Sequence, residues 1–273
     1  MSRGWGGQGQ AAAYAATCAR LCAGAHPALL SALRPLTGRR VLDVGAGDGR
    51  LARALRGAGA HVVAVDPDPD MAGLTVGLPE LPFEDGAFDL VVAAFVVNHL
   101  DDPRAGVAEM ARVTAPGGRV VATIWPSGAT AQSQMWQRVL DSVGVAPAPG
   151  VRLPQHLDFA RTVEGLQELL AGAGLVGPAS PVEVRGAPAT SHETPHVESI
   201  AWTHRGPVDE LWDGAAAGIG GIGATVAAQP VEVRERLRAA YEQEVRALVV
   251  DGELCFSAEA VLGVGVAPGR MGE

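Results

Sequence analysis

The sequence has no lysine, so each of the 21 basic side chains among its 273 residues is an arginine. This absence excludes lysine as a general base or Schiff-base former, and leaves histidine, carboxylate, tyrosine or cysteine for proton transfer. Aromatic residues are scarce at 4%, although hydrophobic residues make up 48% of the chain. We therefore expect a core of small aliphatic side chains, with the few large rings concentrated at a binding site.

Cysteine, positive charge and long apolar runs are also limited. Three cysteines are a low, odd number, which favours a reducing compartment, here the cytoplasm. A net charge of −9 lacks the basic footprint of a nucleic-acid-binding chain. We find no pattern of a signal peptide and no apolar run of the roughly 18–20 residues that span a bilayer. We expect a small-molecule partner, no nucleic acid and no membrane, and leave the oligomeric state open.

Two short motifs invite a metal interpretation, and neither supports it. Cys18 and Cys22 would share one face of a predicted helix, but no further ligand lies nearby in the sequence, so we interpret them as packing residues. His192–His196 reads HETPH and matches the metalloprotease motif HExxH. Pro195 would break the helix that has to present both histidines on one face. We therefore predict no metal site.

The first half of the chain alternates short apolar runs with segments of helical periodicity. We expect a short helix around Met71 and a short strand around Leu74–Val76. Alternation of this kind predicts an α/β fold whose sheet is mostly parallel and doubly wound. The stronger predicted strands are 40–44, 61–66, 88–94 and 119–124, and the stronger predicted helices are 50–57 and 103–113.

The most informative segment, Val41–Gly49, reads VLDVGAGDG. It is a buried strand that runs into a glycine loop. Glycines let the backbone approach a ligand closely, and the helix that follows has a partial positive charge at its start. Asp66 ends the next strand, at the spacing of about 20 residues that suits a carboxylate binding ribose hydroxyls. This pattern predicts a nucleoside site, the alternative being a tight turn without a ligand.

The glycine spacing separates two classes of nucleoside. The dinucleotide fingerprint GxGxxG, started at Gly45, would need a small residue at position 50. Arg50 occupies that position, and the glycines fall instead at 45, 47 and 49. A nicotinamide-dependent oxidoreductase is therefore disfavoured, although not excluded by the spacing alone.

Four segments resemble the class I S-adenosylmethionine-dependent methyltransferases, and within them the small-molecule branch of the ubiquinone and menaquinone methylases. The segments read, in chain order, VLDVGAGDGRLARAL, VVAVDPDPDM, LPFEDGAFDLVVAAFVVNHLDDP and ARVTAPGGRVVATIW. They cover residues 38–125 approximately. The resemblance implies a Rossmann-like, seven-stranded, mostly parallel sheet and S-adenosyl-L-methionine as cofactor.

The resemblance also assigns cofactor-binding roles to individual positions. They are Asp43 beneath the loop, Gly45, Ala46 and Gly47 under the methionine part, Asp66 at the ribose, Pro67 and Met71 near the adenine, and Ala94 and Phe95 at the reaction face.

One stretch departs from the pattern of the family. Members usually have a full helix and strand after the ribose carboxylate, and then an acidic residue that accepts from the adenine amine. Here only a short segment separates Asp66 from Phe83, and Gly77 or Leu78 stands at the acidic position. We expect backbone groups at Leu78 to meet the adenine, with Glu80 as the substitute. A non-catalytic partner subunit with a weakened cofactor site is the alternative that this departure leaves open.

We expect the second half to carry the acceptor site. The layout that we predict is one domain over 1–273, with an N-terminal helical cap at 1–36, a cofactor-binding half at 37–125, and a substrate-side half at 126–273 with a helical lid at about 195–250. Within the lid, residues 198–212 and 231–249 are predicted to be helical, and 253–265 to be a terminal strand or a mixture of helix and strand.

Two histidines are candidate catalytic residues. His99 lies beside Asn98, the single asparagine of the chain, just after the strand that ends at Ala94. Histidine has the pKa range of a general base, which methyl transfer needs when the acceptor must lose a proton. A structural role for His99 in the loop is an equal alternative. His204, predicted on a helix near Trp202, is the second candidate.

Large apolar side chains in the predicted lid and after the fifth strand indicate a small, largely apolar acceptor. The substrate-binding residues that we predict are Tyr14, Trp125, Trp136, Trp202, Trp212, Ile219 and Ile222. The predicted function is methyl transfer from S-adenosylmethionine to an oxygen, nitrogen or carbon of such a metabolite, with secondary metabolism as the setting. The alternatives are a cyclase or decarboxylase on the same fold, and the partner subunit.

Overall fold

The computed structural model describes residues 10–150, 153–178 and 194–269. Its first half consists of helices α1 (Ala11–Ala16), α2 (Cys18–Ala23) and α3 (His26–Ala32), followed by β1 (Arg40–Val44), α4 (Arg50–Gly57), β2 (His61–Asp66), β3 (Leu74–Thr75), β4 (Phe88–Ala94), α5 (Pro103–Val113) and β5 (Thr114–Ile124).

The second half completes the sheet and adds helices beside it. Its elements are α6 (Ala131–Val143), α7 (Val163–Gly172), β6 (His196–Gly206), α8 (Glu210–Ala216), α9 (Gly220–Ala227), α10 (Val231–Glu244), β7 (Val249–Val250) and β8 (Glu253–Val266).

The described strands form one sheet in the order β3-β2-β1-β4-β5-β8-β6, and β7 pairs with β8 outside this path. The pairs β2–β3, β1–β2, β1–β4 and β4–β5 are parallel, whereas β8 runs antiparallel to β5 and to β6. The strand order reverses between β1 and β4, and ligands of doubly wound sheets bind at such a point, outside the carboxyl ends of the strands. The predicted α/β fold with a mostly parallel sheet is confirmed. The described sheet has eight strands and not the expected seven, because β7 adds to β8 outside the path.

Local sequence explains why the predicted elements of the first half form. Four of the five residues of β1 are buried, as is expected of a parallel strand covered on both faces. The start of α4 follows Gly49, whose φ of 75° lies in the left-handed region. The side chain of Asp102 accepts a hydrogen bond from the backbone N–H of Ala105 and caps α5, which begins at Pro103.

The core is built mainly from leucine, valine and alanine, so its aliphatic side chains are larger than the composition predicts, and several aromatic rings are buried in it. One cluster includes Leu42, Val91 and Val120 on one face of the sheet, and a second includes Val41 and Val92 on the other. A third cluster lies among α6, α10 and β8 and holds two of the large rings, Trp136 and Tyr241.

The prediction of a helix over 198–212 is wrong for residues 198–206. These residues belong to β6, which pairs with β8 from His196 opposite Val264 to Gly206 opposite Leu254. Ile200, Trp202 and His204 lie two residues apart, and this period of two is that of a strand. The predicted lid therefore begins with a strand, and its helices are α8, α9 and α10.

The segment around Met71 differs from its prediction, and part of the HETPH motif cannot be compared with the structure. Met71 lies in a bend and not in a helix, and the strand after it has only two residues. No helical turn forms here. The N–H of Ala72 bonds instead to the carbonyl of Gly47, at 2.8 Å. His192 and Glu193 of the HETPH motif lie outside the described residues. Among the described helices, none combines the length and the apolar character needed to cross a membrane.

Candidate active site

Two adjoining cavities lie beside the carboxyl ends of the parallel strands. The first, which we name the glycine-loop cavity, has a volume of about 460 Å³, and the last residues of β1, β2 and β4 line it. The second, the His204 cavity, has a volume of about 360 Å³ and lies among α2, α6, α8, α9 and β8. Cys18 and Trp125 line both cavities, so that these two side chains form the boundary between them.

The glycine loop brings backbone to the edge of its cavity. Gly45 and Gly47 both line the cavity and have φ angles of 66° and 54°. A Cβ at Gly45 would lie 2.3 Å from Cγ2 of Val96, so there is no room for a side chain. The N–H of Ala46 bonds to the carbonyl of Val65 at 3.0 Å and holds the loop against β2. Ala46 lies within the loop, without lining the cavity itself.

Asp66 joins the glycine loop to the turn after β2. Its Oδ2 accepts from the N–H of Gly47 at 2.9 Å, and its Oδ1 accepts from the N–H of Asp68 at 3.0 Å. Burial raises the pKa of this carboxyl, while the two backbone hydrogen bonds oppose the rise. Each carboxylate oxygen has a further lone pair, so Asp66 can still accept from a ligand in the cavity.

Asp43 lies beneath the loop and not in the lining of the cavity. Its side chain is buried and accepts a hydrogen bond from the N–H of Ala52 in the first turn of α4. Its Oδ2 has no partner among the described residues. Burial raises the pKa of Asp43 to about 7. The predicted place of Asp43 under the loop therefore agrees with its position.

The side of the cavity beyond β2 is formed by the shortened segment. Pro67, Met71 and Leu78, which were predicted to lie near the adenine, line it. Asp68, which the sequence analysis did not select, lines it as well, and its Oδ2 is buried without a partner among the described residues. Asp68 therefore adds a carboxylate to this side of the cavity. Glu80 does not line the cavity.

The reaction face follows β4. Ala94 and Phe95 line the cavity, and Phe95 has a φ of 60°. A left-handed backbone is uncommon for a bulky residue and is concentrated at functional sites. The N–H of Phe95 bonds to Oγ1 of Thr123, and its ring stacks on Trp125 with centroids 4.1 Å apart. His99 lies on the same cavity, at the end of the 3₁₀ turn Val97–His99.

The N-terminal helices close the glycine-loop cavity from the other side. Tyr14 contacts the loop, since a Cβ on Gly47 would lie 3.0 Å from its Cε1. Burial, followed by the neighbouring Cys22 and Cys18, raises the pKa of the Tyr14 phenol well above its usual range. Both cysteines line the cavity, and Cys22 also packs against the core cluster that includes Val41 and Val92. A side-chain hydrogen bond with Cys18, and then burial, raises the pKa of the Cys22 thiol.

The His204 cavity combines apolar walls with one buried polar pair. Trp136, Ile219 and Ile222, three of the residues predicted to bind the acceptor, line it. His204 also lines it, but from strand β6 and not from a helix. Its Nε2 lies 3.1 Å from Oε2 of Glu210, and both side chains are buried. Glu210 was not predicted from the sequence. It follows His204 by six residues, on the other side of a turn.

Trp202 and Trp212 are set back from both cavities. Trp202 packs over Gly24 and lies 6.0 Å from Trp125, measured between ring centroids. Trp212 lies behind Trp136, with ring centroids 6.5 Å apart, under the guanidinium of Arg238. These two rings support the rings that line the cavities. Among the described residues there is no group of three or more histidine, cysteine and acidic side chains that could hold a metal ion.

Comparison with known proteins agrees with this geometry. Residues 42–122 match the family described as a methyltransferase domain. The demethylmenaquinone methyltransferase of Thermus thermophilus is 35% identical over 162 residues, which are 50% of this chain and 74% of that protein. The chain belongs to the class I S-adenosylmethionine-dependent methyltransferases. Within this family it lies in the branch that resembles the menaquinone methylases.

Other relatives of this methyltransferase match a smaller part. The demethylmenaquinone methyltransferase of Clavibacter sepedonicus is 39% identical over 106 residues, which are 33% of this chain and 42% of that protein. This chain thus spans about four-tenths of the length of the first curated relatives that it matches.

Solved structures match most of this methyltransferase. The YcgJ protein of Bacillus subtilis has a TM-score of 0.52 at 17% identity, over 89% of this chain and 98% of its own. Phosphoethanolamine N-methyltransferase 2 of Haemonchus contortus, solved with S-adenosyl-L-methionine, has a TM-score of 0.50 at 18% identity, over 89% of this chain and 52% of its own. These likenesses show the fold.

Proposed function

We propose that this methyltransferase transfers a methyl group from S-adenosylmethionine, bound in the glycine-loop cavity, to a small and largely apolar acceptor in the His204 cavity. The observation that carries the proposal is the meeting of the two cavities at Cys18 and Trp125. Donor and acceptor would approach each other across this boundary. The proposed organisation is a single domain, with α8 and α9 covering the acceptor side.

The residues of the glycine-loop cavity fit the cofactor. Gly45 and Gly47 leave backbone where a Cβ would intrude, which suits the close approach of the methionine part. Asp66 would accept from the ribose hydroxyls through its remaining lone pairs. The buried and unpartnered Oδ2 of Asp68 would accept a further hydrogen bond from the adenosine part. Pro67 and Met71 supply apolar surface for the adenine ring.

The chain itself supplies orientation and the exclusion of water. When bound, S-adenosylmethionine supplies an electrophilic methyl group on a positively charged sulfur. Holding the two reactants in line at a short distance accounts for most of the acceleration in such a displacement. Phe95 and Trp125 stack on each other at the reaction face, and the strained backbone of Phe95 fixes where this surface stands.

The lining of the His204 cavity supports the choice of acceptor. Leu21, Trp136, Ile222 and Phe256 form its apolar walls, and its volume of about 360 Å³ lies within the range of small-molecule sites. The name of the relatives, demethylmenaquinone methyltransferase, suggests an acceptor with an apolar ring system. The three free cysteines fit a reducing compartment, so we propose a cytoplasmic enzyme of secondary metabolism.

The test is to incubate the protein with S-adenosylmethionine and a panel of small apolar phenols, quinols and amines, and to quantify S-adenosylhomocysteine. One equivalent of S-adenosylhomocysteine per methylated product is the expected result, with Asp66→Asn as the impaired control. Conversion of an acceptor without S-adenosylhomocysteine would identify a cyclase or decarboxylase instead. Failure to bind S-adenosylmethionine at millimolar concentration would favour a non-catalytic partner subunit.

A further inference from the structure

A buried histidine–carboxylate pair lies in the wall of the His204 cavity. The side chains of His204 and Glu210 are 5% and 2% exposed, and Nε2 of His204 lies 3.1 Å from Oε2 of Glu210. Burying an ionisable pair is costly unless each member is held by further polar contacts. A buried pair that lines a cavity therefore calls for an explanation in terms of the ligand.

Glu210 is held on both sides. Its second oxygen, Oε1, accepts from Nε of Arg20 on α2 at 3.2 Å. A Cβ at Gly206 would lie 1.8 Å from Oε2, so a residue with a side chain at this position would displace the carboxylate. The turn from β6 to α8 thus leaves space for Glu210 to reach His204.

The contact with Glu210 determines the chemistry of the imidazole. An ionised carboxylate only accepts hydrogen bonds, so Nε2 carries the proton, and Nδ1 is then the acceptor nitrogen of the neutral ring. Nδ1 has no hydrogen-bond partner among the described residues. It is also absent from the described polar atoms that are sealed from solvent without a partner. The ring therefore keeps one basic nitrogen available beside the cavity.

We propose that His204, held by Glu210, accepts the proton of a hydroxyl-bearing acceptor, a phenol or an enol, in the His204 cavity. This inference rests on the proposed methyl transfer. The bond from the acceptor oxygen to the methyl carbon forms as the bond from sulfur to that carbon breaks, and the sulfonium becomes a neutral thioether. The hydroxyl proton goes to Nδ1 of His204, and the Glu210 carboxylate offsets the charge of the imidazolium.

The His204–Glu210 pair favours a phenol or enol acceptor over a nucleophile that has no proton to lose. A thioether or a tertiary amine has no proton to lose on methylation, so a buried proton acceptor would serve no purpose for it. A phenol or enol is a poor nucleophile until its proton leaves, and general-base help is worth a factor of roughly 10²–10⁴. Glu210 acts here as a positioning residue, because it touches the imidazole and not the reacting oxygen. The other titratable side chains around this cavity are Cys18, Glu259 and, through Glu210, Arg20.

Proton transfer can be measured without methyl transfer. 4-Nitrophenol absorbs visible light only as the phenolate, so a spectrophotometric pH titration of the bound probe reports whether the site takes its proton. The protein is first saturated with S-adenosylhomocysteine, and saturation is checked by calorimetry. We expect bound 4-nitrophenol to ionise about one pH unit or more below the free probe, the shift typical of a neighbouring positive charge.

The variants separate catalysis from structure. His204→Gln should bind the probe and lose the shift, and Glu210→Gln or Gly206→Ala should reduce it. His61→Gln, a change at an exposed histidine on β2, is the matched control and should keep the full shift. Circular dichroism checks that each variant folds. A shift that persists in His204→Gln, an unshifted wild type, or a wild type that does not bind the probe would overturn the inference. Failure to bind S-adenosylhomocysteine would instead refute the proposed function.

Discussion

The side chain of Asn98 pairs with both main-chain groups of Trp125. Its Nδ2 donates to the carbonyl of Trp125 at 3.2 Å, and its Oδ1 accepts from the N–H of Trp125 at 3.1 Å. Only a side chain that both donates and accepts in this geometry can make the two bonds. The single asparagine of the chain thereby ties the segment after β4 to the end of β5. It fixes the tryptophan that forms the boundary between the two cavities.

Substitution of Asn98 should destabilise the segment that holds Trp125 between the two cavities. We expect Asn98→Ala to lower the free energy of unfolding by about 1–3 kcal/mol, because a partly buried donor and acceptor are left unpaired. Asn98→Asp keeps the acceptor, loses the donor and should fall in between. Urea denaturation measures the stability, and calorimetry with S-adenosylhomocysteine measures the affinity. Equal stability of all three proteins would show that the pairing does not hold Trp125.

The glycine loop offers a second test with a matched control. At Gly45, a φ of 66° and a Cβ position 2.3 Å from Val96 both oppose a side chain. We expect Gly45→Ala to cost about 1–3 kcal/mol of stability and to weaken cofactor binding. Gly57 ends α4 with no atom within 4 Å of a Cβ. Gly57→Ala should be neutral or stabilising by up to about 1 kcal/mol. Similar losses in both variants would refute the steric account.

Asp43 should make stability depend on pH. Its pKa is raised by burial from 3.8 to about 7, so the folded state holds a proton that the unfolded state releases. The stabilisation that this proton provides is complete below the pKa of Asp43 in the unfolded chain. It is lost as the pH rises through the pKa of Asp43 in the folded protein. Compared with Asp43→Asn, the wild type should lose stability between about pH 4 and pH 7, by at most about 1.4 kcal/mol per pH unit. A constant difference between the two proteins across this range would show that folding does not raise the pKa of Asp43.

The two candidate histidines lie in different cavities, and a pair of variants distinguishes their roles. With an acceptor identified by the panel, His204→Gln should lower kcat by roughly 10²-fold or more, the range of general-base catalysis. His99→Gln, in the glycine-loop cavity, should mainly alter the KM for S-adenosylmethionine. If kcat at saturating cofactor falls by this factor in His99→Gln and is unchanged in His204→Gln, the proton acceptor is His99.

The first half of the fold could be predicted from the sequence because local signals agree with tertiary structure there. The residues of β1, β2, β4 and α4 match their predicted ranges, since each buried strand is a continuous apolar run bounded by glycine or a cap. The cofactor residues follow from the same local order. Asp66 is the last residue of β2, and the glycine loop follows the end of β1. Because these two strands are parallel, both groups lie at the same edge of the sheet.

The acceptor side could not be predicted as well. In β6 the polar and apolar residues mix, because this strand lies at the end of the sheet path and, among the described strands, pairs only with β8. The pairing of Glu210 with His204 depends on the turn at Gly206 and on Arg20, which stands 190 positions earlier in the chain. Such a contact between distant segments leaves no periodic signal in the sequence.

The central claim is that the glycine-loop cavity binds S-adenosylmethionine through Asp66. Calorimetric titration of S-adenosylmethionine into the wild type and Asp66→Asn tests it most directly, with Asp70→Asn, a change at an exposed carboxylate in the same turn, as the control. We predict one site per chain in the wild type and in Asp70→Asn, and an affinity at least about 10-fold weaker in Asp66→Asn, as expected for a hydrogen bond to a charged group. A wild type that does not bind at millimolar concentration, or Asp66→Asn binding as the wild type does, would contradict the account.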